Sequence, residues 1–319
     1  MEVVTGAGGF IGGHLVKALL ERGARVRAVD VRPPGEWHQR FDGAENVVAD
    51  LRGLDACREA CSGATRVFNL ACNMGGIGFI EAYRAECMLN VLINTHLLVA
   101  ARDAGVRNYV YTSTACVYNA AVQDRPDAAA LREADAYPAQ PEDGYGWEKL
   151  FGERMCRHFR EDFGLTTRVV RLHNVYGPHG AWRGGREKAP AAMCRKVIEA
   201  VATGATGIEI WGDGTQTRSF MWIGDCIEGI LRLADLDLPG PVNLGSSERV
   251  TIDRLADLAE ALAGVRLARR YVLDAPRGVA GRSSDNTLLR ELTGGWEPRT
   301  PLETGLAATY RWIEGEYRR

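Results

Sequence analysis

Tyr145 and Lys149 stand four residues apart in Tyr-Gly-Trp-Glu-Lys, so on a helix the phenol and the ammonium share one face. A cation so placed stabilises a phenolate and would lower the tyrosine pKa from about 10 towards neutral pH, as suits a base acting on a hydroxyl. Upstream, Tyr111-Thr112-Ser113-Thr114 ends an apolar run, and a hydroxyl there, Thr114 foremost, could share the reacting proton. Cys116 lies two places further on. A thiol is an acid/base of free pKa about 8.5 that neighbouring cations would lower.

A second group of residues is built to hold a ligand. Thr5-Gly6-Ala7-Gly8-Gly9-Phe10-Ile11-Gly12 follows a β-like run and opens a helical pattern. Gly6, Gly9 and Gly12 are spaced G-x-x-G-x-x-G, yet the roles of a dinucleotide fingerprint carry over: a tight turn, close backbone approach to a pyrophosphate at a helix N-terminus, and close packing of helix on sheet. A plain strand-to-helix turn is the bland alternative. Asp30 ends the next run, where a carboxylate accepts from ribose hydroxyls and favours NAD over its 2′-phosphorylated form. Arg32 is the one group there that could reach such a phosphate. Asp50-Leu51 could border the adenine, a solvated loop being the alternative.

These groups need a scaffold, and the pattern predicts one. Strands are expected at 3–4, 25–29, 47–49, 66–70, 109–112 and 167–171, with helices starting near Phe10, Leu54, Phe79 and Tyr145. Repeated βαβ units with right-handed crossovers give a parallel sheet covered on both faces. The second half predicts helices at 187–202, 225–234, 252–263 and 302–314, with short strands at 208–211 and 241–244. The fold class is therefore α/β: a Rossmann-type doubly wound parallel sheet, residues 1–172 plus a return at 216–248, and a smaller mixed α/β substrate domain, 173–215 plus 249–319, with the site in the cleft between them. Residues 119–143, rich in Ala, Pro and Asp, read as a long loop, and such loops are more often functional than idle.

Composition narrows the partners. The 319 residues carry 39 basic and 41 acidic side chains, a formal net charge of −2 that gives no field for nucleic acid or an anionic membrane surface. The expectation is a cytoplasmic protein with no membrane span, because no apolar run is long enough and no signal-peptide pattern opens the chain. The eight cysteines include no Cys-x-x-Cys pair, so no metal site is expected. Only four of the basic residues are lysines, Lys17, Lys149, Lys188 and Lys196; the rest are arginines. In such a chain a lysine suggests a need that arginine cannot meet, such as a losable proton.

Taken together, the glycine turn and Thr114, Tyr145 and Lys149 resemble the extended short-chain dehydrogenase/reductase superfamily, which implies hydride transfer with NAD. Four further segments sharpen this: Cys72-Asn-Met-Gly-Gly-Ile-Gly-Phe79, Arg171-Leu-His-Asn-Val-Tyr-Gly-Pro178, Trp182-Arg-Gly-Gly-Arg-Glu-Lys-Ala-Pro-Ala191 and Trp211-Gly-Asp-Gly-Thr-Gln-Thr-Arg-Ser-Phe220. With Cys116 they are similar to the GDP-mannose 3,5-epimerases, nucleotide-sugar epimerases of that superfamily.

The resemblance implies epimerisation of a GDP-hexose, GDP-mannose at C3 and C5 to GDP-L-galactose with GDP-L-gulose as the 5-epimer, through a transient 4-keto sugar. It implies Tyr145, Lys149 and Thr114 as the hydride-transfer group and Cys116 with Lys188 as the acid/base pair. It implies NAD contacts at Gly6, Gly9, Phe10, Ile11, Gly12, Asp30, Asp50, Leu51, Ala71, Tyr145 and Lys149. Substrate contacts fall on Gly75, Thr114, Ala115, Cys116, Asn174, Lys188, Lys196, Gln216, Thr217, Arg218 and Arg282. The superfamily commonly pairs through helices, so a homodimer is implied as well.

Four positions depart from the pattern: Ala280 stands where a second Arg is expected, Asn119-Ala120 where Pro-Glu is, Asn73 where an acid is, and Thr114 where Ser is. They leave open a GDP-mannose 5-epimerase, or a 4-epimerase or dehydratase of another GDP-hexose. More remotely, an NAD-binding regulator without turnover remains as an alternative.

Overall fold

The structure is a computed structural model and describes residues 1–238, 240–276 and 278–319. Valine-rich runs too short and too β-branched to hold a helix become buried strands, and the amphipathic stretches between them become helices. The first half runs β1 (Glu2–Thr5), α1 (Phe10–Glu21), β2 (Val26–Asp30), β3 (Glu45–Val48), α2 (Leu54–Cys61), β4 (Arg66–Asn69), α3 (Ile77–Ala82), α4 (Arg84–Met88), α5 (Asn90–Asp103), β5 (Asn108–Thr114), α6 (Tyr145–Phe163) and β6 (Thr166–Leu172). The second half runs β7 (Val175–Tyr176), α7 (Ala189–Thr203), β8 (Gly207–Trp211), β9 (Thr217–Ser219), β10 (Met221–Trp222), α8 (Ile223–Asp235), β11 (Val242–Leu244), β12 (Arg249–Thr251), α9 (Ile252–Ala263), β13 (Ala268–Val272), β14 (Gly281–Arg282), α10 (Thr287–Thr293) and α11 (Leu302–Tyr317).

Among the described residues, seven strands form one parallel sheet in the order β11-β6-β5-β4-β1-β2-β3. The order reverses between β1 and β4, and ligands of such sheets bind beyond the strand C-termini at that switch. The expected doubly wound α/β sheet is present. One face packs α1 and α8 through Leu15, Leu19, Ile227 and Ile230, and the other packs α2, α5 and α6 through Cys57, Leu97, Leu98 and Cys156. A third core gathers α7, α9, α11 and β8 around Cys194, Val197, Ile210, Leu255 and Leu306.

The chain returns to the main sheet through α8 and β11. Thr217–Ser219, placed in that return by the sequence reading, pairs instead with β12 and β14, and β10 pairs with β7. The single helix expected from Phe79 is three. Tyr83, at φ −125°, ends α3 and precedes α4, and α5 carries the long stretch that packs on α2 and α6. The loop 119–143 holds two short 3₁₀ turns, bridges to the C-terminal part at Leu131 and Ser284, and is fastened by Asn119, whose amide donates to Pro138 O at 2.8 Å. No described helix is long and apolar enough to cross a membrane.

Candidate active site

The dinucleotide side is made of backbone. Gly6, at φ +69°, occupies the left-handed region, and a Cβ there would lie 2.8 Å from the Leu70 carbonyl. A Cβ on Gly12 would lie 2.1 Å from Gly6 O, so α1 can approach the end of β1 this closely only with glycine. Gly9 caps α1 with no side-chain hydrogen bond, and the first turn holds no acid, which leaves the N-terminal N–H groups of Phe10 and Ile11 as anion donors. The Asp30 carboxylate, 6% exposed at the end of β2, accepts from Gly8 N at 3.0 Å and is paired by Arg32 Nε at 3.2 Å. Arg32 is thus committed to Asp30. The cradle fits an adenine dinucleotide: a cleft for pyrophosphate, a carboxylate at the ribose position, and Ala71 N against the turn through Thr5 Oγ1 at 3.3 Å. Asp50 sits in an exposed ion pair with Arg52 at 2.6 Å, which holds its carboxyl below the usual range. The Leu51 side chain is buried in the core with Val3 and Cys57.

At the C-terminal end of β5, Thr114, Cys116 and Tyr145 converge. Thr114 Oγ1 accepts from Cys116 N at 3.2 Å, and its hydroxyl faces the Tyr145 phenol. Gly144, at φ +75°, turns the loop into α6, so that Tyr145 opens the helix and Lys149 follows on the same face. The sequence reading expects a lowered Tyr145 pKa; the structure corrects this. Burial pushes the phenol well up, Cys72, Cys116 and Glu148 add to it, and the Thr114 hydroxyl opposes. Lys149 Nζ lies 5.8 Å from the Tyr145 ring centroid and donates to Thr112 O at 3.1 Å, so the fixed cation is spent on backbone. Against burial, the Cys72 thiol and the Glu148 carboxylate hold that ammonium above its ordinary pKa.

Beyond Tyr145 opens a cavity of about 250 Å³. Gly75, Thr114, Ala115, Cys116, Asn174, Lys188, Lys196, Gln216, Arg218 and Arg282 all line it, as does Tyr145. The segments 72–79 and 182–191 meet there: Arg186 Nη1 donates to Asn73 Oδ1 at 3.0 Å and to Met74 O at 2.9 Å, while Gly76 N donates to Arg186 O at 3.1 Å. Lys188 is the residue before α7, where burial lowers its ammonium pKa with Cys116 and Glu142 opposing. Cys116 is pushed up to about 11, by burial first and by Glu142 next, with Arg282 pulling down.

The cavity also collects donors. Lys196 Nζ donates to Glu209 O at 2.7 Å, Asn174 Nδ2 to Ser219 O at 3.2 Å, and Gln216 Nε2 to Trp211 O at 2.6 Å. The buried Gln216 Oε1 has no partner among the described residues, which suits a donor on a ligand. Arg218 reaches Val279 O at 2.6 Å, and burial lowers its pKa to about 10. Thr217 alone of the expected substrate contacts does not line the space. Its side chain alternates to the other face of β9, and its hydroxyl donates to Pro126 O, tying down the long loop. Ala280 acts through its backbone, accepting from Thr217 N at 2.9 Å.

Glu142 and Trp211 line the cavity without having been singled out as site residues from the sequence. Glu142 carries a signal in hindsight: a carboxylate three residues before a reactive tyrosine, inside the long loop. Chemically, the space offers a phenol and a hydroxyl beside a dinucleotide cradle, a thiol and an amine on its walls, and cations along its length. Such a set suits proton transfer next to a carbonyl on an anionic, sugar-like ligand.

The comparisons agree with this chemistry. A model of the NAD dependent epimerase/dehydratase family matches residues 3–245. GDP-mannose 3,5-epimerase 1 of Oryza sativa subsp. japonica is 44% identical over 312 residues, covering 98% of this chain and 81% of its own. The GDP-mannose 3,5-epimerase of Arabidopsis thaliana is 42% identical with the same coverage. Among solved structures, the UDP-glucose 4-epimerase of Thermotoga maritima, with UDP-glucose, shares the fold at a TM-score of 0.89 and 24% identity, over 99% of this chain and 100% of that one. With that sheet, that glycine turn and these relatives, the chain belongs to the NAD dependent epimerase/dehydratase family.

Proposed function

We propose that this protein is an NAD-dependent epimerase that inverts GDP-mannose at C3 and C5. The observation that carries the reading is that Cys116 and Lys188 line one cavity with the Thr114–Tyr145 pair, in a chain 44% identical to a GDP-mannose 3,5-epimerase. NAD, held by the glycine turn, Asp30 and Lys149, supplies a reversible hydride acceptance at C4. Tyr145 takes the proton of the 4-hydroxyl. Once C4 is a ketone, the hydrogens on C3 and C5 are acidic because either carbanion delocalises onto the C4 oxygen, and Thr114 with Tyr145 donates to that oxyanion. Inversion needs removal on one face and return on the other, which Cys116 and Lys188 perform from separate segments of the wall. Arg218, Arg282 and Lys196 offset the diphosphate charge within a chain of near-zero net charge.

The test is incubation with NAD⁺ and GDP-mannose in D₂O, read by NMR. Deuterium at both C3 and C5 is expected. Label at C5 alone would make the protein a 5-epimerase, and absence of label would leave an NAD-binding regulator.

We also read the protein as a homodimer of a reducing, cytoplasmic compartment. Its cysteines are free, and α5 and α6, packed side by side, leave Leu92, Trp147 and Phe151 exposed at 38%, 43% and 48%. Trp147 and Phe151 share one face four residues apart, an apolar surface of the kind that marks an interface. Sedimentation should give twice the chain mass for the wild type and the single-chain mass for a Trp147→Glu/Phe151→Glu variant.

A further inference from the structure

Cys116 Sγ is held between opposite charges contributed by distant parts of the chain. Arg282, 6% exposed on β14, donates from Nη1 to Cys116 Sγ at 3.6 Å, from Nη2 to Glu142 Oε1 at 2.7 Å and from Nε to Gln123 Oε1 at 2.6 Å. Glu142 N donates to Cys116 O at 3.0 Å, which locks the two residues together through the main chain. The Glu142 carboxylate and the Cys116 sulfur thus share one guanidinium. The other charged or titratable groups facing the sulfur are Lys188, Arg218 and Tyr145.

We infer that Glu142 is a positioning residue for Cys116: paired with the guanidinium that also bonds the sulfur, and tied to the Cys116 main chain, it holds Cys116 as the thiol, the proton-donating member of the acid/base pair. The physics is that of like charges. Although burial works against the carboxylate, Arg282 keeps Glu142 below its ordinary pKa, and a fixed anion on the same guanidinium disfavours a second one on sulfur. In a turnover that starts from this state, Lys188 as the free amine takes the hydrogen next to the ketone. The S–H bond of Cys116 then breaks as a C–H bond forms on the opposite face, leaving a thiolate beside Arg282 and an ammonium on Lys188. The next transfer can run the other way between the same two groups, so no external acid is consumed. This sequence rests on the assignment of Cys116 and Lys188 made above.

The test does not rest on it. Alkylation of Cys116 by iodoacetamide, followed across pH by peptide mass spectrometry on the full chain, reads the thiolate fraction without substrate. Glu142→Gln should move the midpoint down by about one pH unit or more, because Arg282 then acts unopposed. Glu142→Asp, which keeps the charge, should leave it in place, and retained NAD binding reports an intact fold. An unmoved midpoint in the Gln variant, or equal shifts in both variants, overturns the role of Glu142. If the Gln variant does not fold, Arg282→Gln reads the same network from the other side: a raised midpoint is expected, and an unchanged one overturns the proposal. Undiminished deuterium exchange in Cys116→Ser, by contrast, would refute the acid/base role of Cys116 while leaving the alkylation result standing.

Discussion

The two walls of the cleft are built from different materials. On the dinucleotide wall the groups are backbone: a left-handed Gly6, a Gly12 that lets α1 approach β1, and N–H groups left open by the absence of a cap. All of this comes from residues 5–12 plus Asp30. On the sugar wall the groups are charged or titratable side chains from four distant segments, Cys116 to Glu142, Lys188 to Lys196, Gln216 to Arg218, and Arg282. A wall of backbone is set by sterics and changes little with pH. A wall of coupled side chains is set by electrostatics, and each member tunes the others.

Breaking the hinge between the two walls should cost most. Tyr145→Phe removes the one hydroxyl that serves both the hydride step and the oxyanion, and exchange at C3 and C5 should fall about 10⁴-fold. NAD affinity measured by fluorescence should be retained. Retained exchange would show that 4-keto formation does not pass through Tyr145. Next comes the sugar wall alone: Cys116→Ser should reduce exchange about 10²–10³-fold with NAD binding unchanged. Loss of NAD binding in that variant would mean that the walls are not separable.

The third prediction concerns what lies under the sugar wall. His173, fully buried, donates from Nε2 to Asn243 Oδ1 at 3.1 Å, and the Tyr118 hydroxyl donates to the same oxygen. Burial lowers the imidazole to about 3, whereas in the unfolded chain it binds a proton below about 6.5. The unfolded state therefore holds the extra proton between these values, so the stability from neutral His173 is complete above pH 6.5 and is lost as pH falls towards 3. By pH 4 the loss should be roughly 3 kcal/mol, seen in denaturant unfolding and absent from the pH slope of a His173→Gln variant. An equal slope in both proteins would remove His173 as the source. Smaller again, Gly12→Ala should cost about 2 kcal/mol by calorimetry and weaken NAD binding, since the Cβ meets Gly6 O. Full NAD affinity in that variant would contradict a backbone-built wall.

The same contrast explains what could be read without coordinates. The glycine turn, the parallel sheet and the Tyr145–Lys149 face depend on local sequence and period, and all three stand where the pattern put them. The break at Tyr83 did not show, because no proline stands between Ile77 and Asp103 to mark it. Thr217 was misread because β9 is a strand and alternation turns its side chain away between Gln216 and Arg218. Arg282 reads as a surface cation by composition alone; its burial depends on Glu142 and Gln123, more than a hundred residues upstream. The raised Tyr145 pKa has the same origin, since the burial that raises it is set by tertiary packing that spacing cannot reveal.

The four lysines give the finest test of the contrast. Lys188 and Lys196 line the cavity, and Lys149 lies behind it, 5.8 Å from the Tyr145 ring centroid. Lys17 lies on the outer face of α1, with its side chain 55% exposed and paired to Glu21 at 3.8 Å. If lysine is retained only where a compact or losable charge is needed, Lys17 is the exception. An i, i+4 pair this exposed is screened by water and salt, so Lys17→Arg should change stability by less than about 0.5 kcal/mol and leave exchange at the wild-type rate. Lys149→Arg places a larger planar fork where a single ammonium bonds Thr112 O, and Lys188→Arg replaces an amine that can lose its proton by a guanidinium that keeps it. Both should abolish exchange, while the alkylation midpoint of Cys116 should move only in the Lys188 variant, whose charge faces that sulfur. A loss of exchange in Lys17→Arg would show that the outer face of α1 also contributes to the chemistry, and that the division into two walls is drawn too narrowly.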